Sequence, residues 1–321
     1  MAEHRRSSLM TGVWSLYRAT RRYGAAPFLA VGLVLFFSLM TPYFLTPTNV
    51  RNVLQQASVN CLIAVGLTPV MLTAGIDLSV GSIVALASIL FGSLLKYGLS
   101  EPLAISVALL LCAALGALSG GAWAYLHIPS FISTLAMMSI ARGLALTIAH
   151  GQSLSVSGKL FDLLRLLETA SFPLSTVLAV VSVFLAHAFL RLSRAGRHVY
   201  AVGDNLVAAA RQGIQTQHVV VGAFAASAAL SALGGLLVTI RLSSAQPIYG
   251  YMYELDGIAA AVIGGVSLSG GRGSALGAAL GALVIALMRN GLTLLDVDAY
   301  AQHLAVGLIL LIASRLYGPT N

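Results

Sequence analysis

The feature that most constrains this chain is a succession of apolar runs, most of them long enough to cross a lipid bilayer. A helix needs about 20 residues to cross the hydrocarbon core. The runs predict helices at residues 27–45, 50–73, 82–95, 102–125, 131–150, 173–190, 219–240, 258–266, 275–295 and 301–317. Because 58% of the 321 residues are hydrophobic and only 9% are charged, the chain has too little polar surface for a water-soluble globule. The sequence therefore predicts an all-α, polytopic membrane protein with about ten transmembrane helices.

An acidic residue set between glycines interrupts the apolar sequence at residues 74–82. Backbone groups freed from a helix at membrane depth are tolerated only where protein or water satisfies them. This segment therefore predicts a broken or re-entrant helix. Ile76-Asp77 is echoed half a chain later by Leu255-Asp256, which also precedes an apolar run. With five spans in each half, the echo predicts two halves of inverted topology.

The distribution of arginine predicts the orientation of the chain. Residues 1–26 form a basic tail, and residues 191–217 contain four arginines. Basic residues are enriched on the cytoplasmic side of membrane proteins, so both termini are predicted to be cytoplasmic, with a single transmembrane domain at residues 27–318. The loop at residues 151–172 then lies on the opposite side. Its charges alternate in sign every three residues, which predicts an amphipathic helix with charge pairs between neighbouring turns.

The stretch at residues 191–217 also predicts a short helix that needs a partner. Asp204 or Asn205 is suited to cap its first turn, because a side-chain oxygen there accepts from free backbone N–H groups. Helix-forming residues follow as far as Gln212, and Gly213 favours a left-handed ending. A basic helix of under two turns is not stable alone in water. The segment is therefore predicted to contact a soluble partner.

Four ionisable residues fall near or within the predicted spans, namely Asp77, Arg142, Asp256 and Arg289. An unpaired charge at the bilayer centre costs at least ~2.5–3.5 kcal/mol, so these side chains are predicted to pair, to face the bundle interior or to line a water path. One interpretation is a fixed ion pair between Arg142 and either Asp77 or Asp256. The other is direct contact with a solute.

Two serines near Asp77 offer hydroxyls to a polar solute, although serines in such positions also commonly cap a helix. Glu254 lies close to Asp256 and belongs to the same candidate region. The residues predicted to line a substrate pathway are Asp77, Ser79, Ser82, Arg142, Glu254 and Asp256.

No catalytic motif occurs in the sequence. It contains no His-Glu-x-x-His, no paired-cysteine motif, no Gly-x-Ser-x-Gly and no nucleotide-binding loop of the Walker type. Both cysteines lie inside apolar runs, without metal-ligand spacing. We therefore expect a protein that is not an enzyme and that holds no metal or cofactor of its own.

Six segments carry a more specific pattern: Gly75-Ile-Asp-Leu-Ser-Val-Gly-Ser82, Ile128-Pro-Ser-Phe-Ile-Ser-Thr-Leu135, Arg142-Gly-Leu-Ala145, Gly196-Arg-His-Val-Tyr-Ala-Val-Gly-Asp-Asn205, Glu254-Leu-Asp-Gly-Ile-Ala-Ala260 and Val262-Ile-Gly-Gly-Val-Ser-Leu-Ser-Gly-Gly-Arg-Gly273. In this order they closely resemble the ribose-type permease subunits of bacterial ABC sugar importers. The resemblance extends over residues 50–315. The sequence departs from the family in Arg211-Gln212-Gly213, where relatives usually carry a serine before the glycine, and at Gly257, where many carry alanine.

The resemblance implies an inner-membrane permease subunit of an ATP-driven importer for a monosaccharide, polyol or similar small hydroxylated solute. It also implies three kinds of partner: a second permease subunit, identical or homologous; cytoplasmic ATPase subunits that bind ATP and Mg; and an extracytoplasmic solute-binding protein. In such importers the segment after the sixth span inserts a helix into a groove of the ATPase. We therefore call residues 191–217 the coupling stretch. The residues assigned to coupling are Arg197, Tyr200, Asp204, Asn205 and Arg211.

The alternative from another class is an ion-coupled secondary transporter that works without an ATPase. In that case Asp77 or Asp256 would bind the proton or sodium ion. The coupling stretch argues against this alternative, because a self-sufficient carrier has no need of a capped basic docking helix.

Overall fold

The computed structural model describes residues 24–317, and this part of the chain is almost entirely helical. Its thirteen helices and two short strands are α1 (Ala26–Met40), α2 (Pro47–Leu72), α3 (Val80–Lys96), α4 (Glu101–Leu126), α5 (Ser130–Ala149), β1 (Leu154–Ser155), α6 (Lys159–Glu168), α7 (Leu174–Leu192), α8 (Arg194–Asp204), α9 (Leu206–Arg211), α10 (Thr216–Leu242), β2 (Ser244–Ala245), α11 (Tyr253–Ile263), α12 (Ala275–Leu294) and α13 (Ala299–Tyr317). The predicted all-α class is confirmed. Most of the predicted cytoplasmic tail lies outside the described residues.

Six helices of the described region are long and apolar enough to cross a membrane, namely α2, α4, α5, α7, α10 and α12. Shorter apolar helices occur in α1, in α3 and at residues 299–309 of α13. All nine coincide with apolar runs that the sequence analysis identified, because run length sets helix length in a bilayer. The prediction of a polytopic membrane protein is confirmed.

Helices α2 and α10 form the centre of the bundle. α2 packs against α7, α10, α11 and α12, and α10 packs against α2, α3 and α4. Glycine permits the closest approach, because a Cβ atom on Gly116 of α4 would overlap the carbonyl oxygen of Phe224 in α10. In contrast, α4, α5 and α7 leave many large apolar side chains exposed. This arrangement suits helices whose outer faces meet lipid.

Two irregular segments interrupt the helices next to the candidate pathway. Residues 73–79 separate α2 from α3, and residues 246–252 precede α11. Within the first segment, the Ile76 N–H donates to Ser130 Oγ (3.2 Å), and Thr134 Oγ1 donates to the Ile76 carbonyl (3.1 Å). The backbone freed by the break is therefore satisfied by α5, as burial requires. The predicted break near residues 74–82 is present, and the helix resumes at Val80.

The loop at residues 151–172 contains the predicted helix, α6, but the predicted charge pairs along it are wrong. Across residues 24–309 the one ion pair joins Arg289 and Asp256. Glu168 is instead 1% exposed and accepts from the Ser175 N–H and Oγ, both at 2.8 Å. The free N–H groups at the start of α7 stabilise this carboxylate better than an exposed cation on the same helix does.

Candidate functional site

Asp77 lies in the break between α2 and α3, and its carboxylate is fully engaged by the protein. Its Oδ1 accepts from the Ser79 N–H (2.9 Å) and Ser79 Oγ (2.6 Å), while its Oδ2 accepts from Ser227 Oγ of α10 (2.8 Å). The residue is 1% exposed. A buried carboxylate needs such donors, so Asp77 fixes the start of α3 and joins it to α10.

The two serines near Asp77 are also buried, with Ser79 1% and Ser82 2% exposed. Ser79 directly precedes α3, yet its side chain makes no capping hydrogen bond. The interpretation of Ser79 as a cap is therefore wrong, because its hydroxyl donates to Asp77 instead.

Arg142 lies in the middle of α5 and is half-buried. Its Nη1 donates to the carbonyl oxygens of Pro247 (2.6 Å) and Tyr249 (2.9 Å). The predicted ion pair with Asp77 or Asp256 is therefore wrong. The physical reason is the irregular segment at residues 246–252, two of whose carbonyl groups lie within reach of the guanidinium group.

Glu254 stands in the first turn of α11, beside the start of α3. A Cβ atom added to Gly81 would overlap both the Glu254 carboxylate and the Gly250 carbonyl oxygen. Glu254 is half-buried and interacts electrostatically with Arg142. The amino-terminal ends of α3 and α11 thus meet at Gly81 and Gly250, next to the two partly exposed charges of the candidate pathway.

Asp256 forms an ion pair with Arg289. The sequence predicts Arg289 to be an ionisable residue near or within a span, but it does not predict Arg289 to be the partner of Asp256. The Asp256 Oδ1 lies 2.7 Å from Arg289 Nη2 and joins α11 to α12. Asp256 is 3% exposed, so the pair is largely removed from solvent. Arg289 Nη2 also lies 3.4 Å from His303 Nδ1 of α13.

The coupling stretch contains two helices, of which the sequence analysis predicted one. α9 is the predicted helix, and Asn205 caps it by accepting from the Ala208 N–H (2.9 Å). Asp204 is the last residue of α8, so it is not the cap. Ser193 caps α8 by accepting from the Gly196 N–H (2.8 Å). A capping serine before a helix was the available signal for α8.

The surface of α9 combines polar and apolar groups. Leu206 and Val207 are 46% and 58% exposed, whereas Ala209 is buried against the bundle. Asn205 and Arg211, at the two ends of the helix, are exposed. Exposed apolar side chains rimmed by polar ones are typical of a protein contact. We call residues 204–211 the α9 surface.

Tyr200 connects α8 to another part of the chain. Its hydroxyl donates to the Gly273 carbonyl oxygen (3.0 Å). Burial raises the pKa of this hydroxyl, an effect that the charge of Arg191 only partly offsets, so Tyr200 remains a donor at neutral pH. Arg197 is exposed, and its Nη1 donates back to the Leu192 carbonyl oxygen (3.3 Å).

Comparison with known proteins gives a family for residues 49–314, described as the permease component of the branched-chain amino acid transport system. The ribose import permease protein RbsC of Haemophilus influenzae is 40% identical over 285 residues, which cover 88% of each chain. The D-allose transport system permease protein AlsC of Escherichia coli is 34% identical over 300 residues, covering 92% of this chain and 91% of the relative.

The xylose transport system permease protein XylH of Escherichia coli is 32% identical over 346 aligned positions, which cover 88% of each chain. None of the solved structures matches this chain significantly.

Proposed function

The chain belongs to the family of branched-chain amino acid transport system permease components, and on that premise we propose that it carries a monosaccharide through an ATP-driven ABC importer of the bacterial inner membrane. The observation that carries this proposal is the similarity, over almost nine-tenths of the chain, to permeases named for ribose, allose and xylose. As a permease subunit the chain is a transport component without catalytic activity of its own.

We further propose ten membrane crossings, arranged as two inverted halves of five, with both termini in the cytoplasm. Several packing relations support this arrangement. α4 packs on α10 as α12 packs on α2, and α3 packs on α5 as α11 packs on α13. Both α3 and α11 are short and begin after an irregular segment, as in carriers built from broken helices. The outer helices depart from the symmetry, because α1 packs on α12 whereas α7 packs on α2.

The proposed partners follow from the two faces of the bundle. The α9 surface would insert into a groove of a cytoplasmic ATPase, which binds ATP and Mg. Its exposed Leu206 and Val207, with Arg197 and Arg211 nearby in the chain, support this role. The loop at residues 151–172 would face a solute-binding protein on the other side. A second permease subunit, identical or homologous, would complete the path.

Within the path we propose different roles for the six candidate residues. Arg142 and Glu254 are partly exposed, so they are the charged groups of this set that a solute can reach. The other four residues of the set are buried at the beginnings of α3 and α11, namely Asp77, Ser79, Ser82 and Asp256. Their burial also argues against the ion-coupled alternative, because both aspartates already bind protein groups.

Uptake into liposomes tests the proposed function. The permease would be reconstituted with the ATPase and binding protein encoded beside its gene, and uptake of labelled ribose, allose and xylose would be measured. We expect uptake of at least one sugar that requires ATP inside the liposome and the binding protein outside. Uptake driven by a proton or sodium gradient without the ATPase would instead establish a secondary transporter.

A further inference from the structure

We propose that the coupling stretch moves both α3 and α11 through one crossing of three backbone segments, at Leu72, Gly203 and Gly271. We call this crossing the glycine junction. The proposal rests on the proposed function, because it assumes that an ATPase acts on α8 and α9. It goes further by naming the contacts through which that action reaches the membrane interior.

The glycine junction is built from direct backbone contacts. The Gly271 N–H donates to the Leu72 carbonyl oxygen (2.9 Å). Gly203, in the last turn of α8, lies against both residues, since a Cβ atom there would overlap the Leu72 carbonyl oxygen and lie 2.7 Å from the Gly271 nitrogen. No side chain separates the three segments, so Gly203 cannot be replaced without displacing one of them.

A neighbouring glycine extends the same contact to the break before α3. Gly270 has a φ of +86°, and a Cβ atom there would lie 2.7 Å from the Gly203 carbonyl oxygen and 3.0 Å from Ala74 Cβ. This backbone conformation favours glycine. The turn at residues 264–274 therefore touches both the end of α8 and the irregular segment at residues 73–79 in one place.

The position of the glycine junction along the chain connects it to both short helices, α3 and α11. Leu72 ends α2, and five residues later Asp77 fixes the start of α3. The turn at residues 264–274 connects α11 to α12. Close-packed protein interiors have low compressibility and transmit strain. A displacement of α8 is therefore passed to the ends of both short helices.

Two further contacts hold α8 on this junction. The Tyr200 hydroxyl donates to the Gly273 carbonyl oxygen of the same turn (3.0 Å). Val202 belongs to a small buried cluster that also contains Val70 of α2, Ala209 of α9 and Phe224 of α10. This cluster packs α8 and α9 against the end of α2 and against α10, while Val199 of α8 belongs to the main core.

The test compares Gly203→Ala with Gly222→Ala in the complete importer. Gly222 is a matched control because a Cβ atom there meets nothing within 4 Å. In liposomes that contain the ATPase and binding protein, the readout is the number of sugar molecules imported per ATP hydrolysed. We expect Gly203→Ala to lower this ratio at least about tenfold, while Gly222→Ala keeps the wild-type ratio.

Tyr200→Phe keeps the proposal testable if Gly203→Ala fails to assemble, because it removes only one hydroxyl. We expect the import ratio to fall about two- to tenfold, the effect of one hydrogen bond, while the ATPase still co-purifies with the permease. A wild-type ratio in Tyr200→Phe, or in an assembled Gly203→Ala importer, overturns the junction. Absence of ATP-dependent uptake in the wild type overturns the proposed function instead.

Discussion

Asp77 and Asp256 lie at the beginnings of two short helices, and each follows an aliphatic residue in a similar dipeptide. Their carboxylates are nevertheless stabilised in different ways. Within the described residues, the donors to Asp77 are all uncharged and come from Ser79 and from Ser227 of α10. Asp256 binds the cation of Arg289 from α12. The difference teaches that a repeated dipeptide specifies where a buried acid lies, but not what compensates its charge.

The Asp77 and Asp256 sites also differ in how many of their buried polar atoms form hydrogen bonds. Both oxygens of Asp77 accept hydrogen bonds. At the other site, Arg289 Nε is buried and has no hydrogen-bond partner within the described part of the chain. A buried ion pair depends on both of its members, because the loss of one leaves the other uncompensated. We therefore expect the α11 site to be the more fragile of the two.

The largest effect is expected from Arg289→Met, which leaves Asp256 buried without its cation. Breaking a buried ion pair in this way costs about 3–5 kcal/mol, measured as thermal unfolding of the purified protein in detergent. The double variant Asp256→Leu with Arg289→Met removes both charges and is expected to recover most of the stability. A single variant as stable as wild type would contradict the proposed fragility of this site.

A smaller effect is expected from Ser227→Ala, which removes the only donor to Asp77 Oδ2 that the described residues supply. A hydrogen bond to a charged group contributes about 1.5–3 kcal/mol, and unfolding in detergent measures the loss. Ser231→Ala is the matched control. Ser231 is equally buried one turn later in α10, but its hydroxyl donates only to the Ser227 carbonyl of its own helix. Equal losses in both variants would show that Asp77 does not depend on α10.

Arg142 extends the comparison because its guanidinium group donates hydrogen bonds to backbone carbonyl oxygens, and Glu254, the acid that interacts with it electrostatically, forms no ion pair with it in the described residues. Arg142→Met leaves the carbonyls of Pro247 and Tyr249 without this donor, and because Arg142 itself is only half-buried we expect a loss of about 1–2 kcal/mol in detergent unfolding. Arg142→Lys is expected to recover part of it, because an ammonium group lacks the planar fork of guanidinium. Uptake is measured in parallel. Wild-type stability with lost uptake would assign Arg142 to the solute, and wild-type values of both would refute either role.

Much of the fold could be predicted because run length and capping are local properties. The ends of α12 follow from an apolar run, and the cap at Asn205 follows from its own side chain. The charge partners could not be predicted in this way. Asp77 and Ser227 are 150 positions apart, so only the packing of α3 on α10 brings them together. Helix α8 was missed because its glycines and arginines are typical of a loop, whereas Gly203 serves close backbone packing.

The smallest effect on stability is expected from a substitution of Asn205. This residue is an exposed cap of α9, in contrast to the buried Asp77 at the start of α3. Loss of an exposed cap in Asn205→Ala costs about 1 kcal/mol, and this loss affects α9 rather than the whole bundle, because most of the helix is exposed. We therefore expect nearly unchanged thermal unfolding but reduced ATP-dependent uptake in liposomes, since a frayed α9 would present Leu206 and Val207 less well to the proposed ATPase partner. Asn205→Ser retains an oxygen that can accept from the first turn, so it is expected to restore uptake. If the serine variant were as impaired as the alanine variant, Asn205 would contact the ATPase directly, and the comparison with Asp77 as two beginnings of helices would fail.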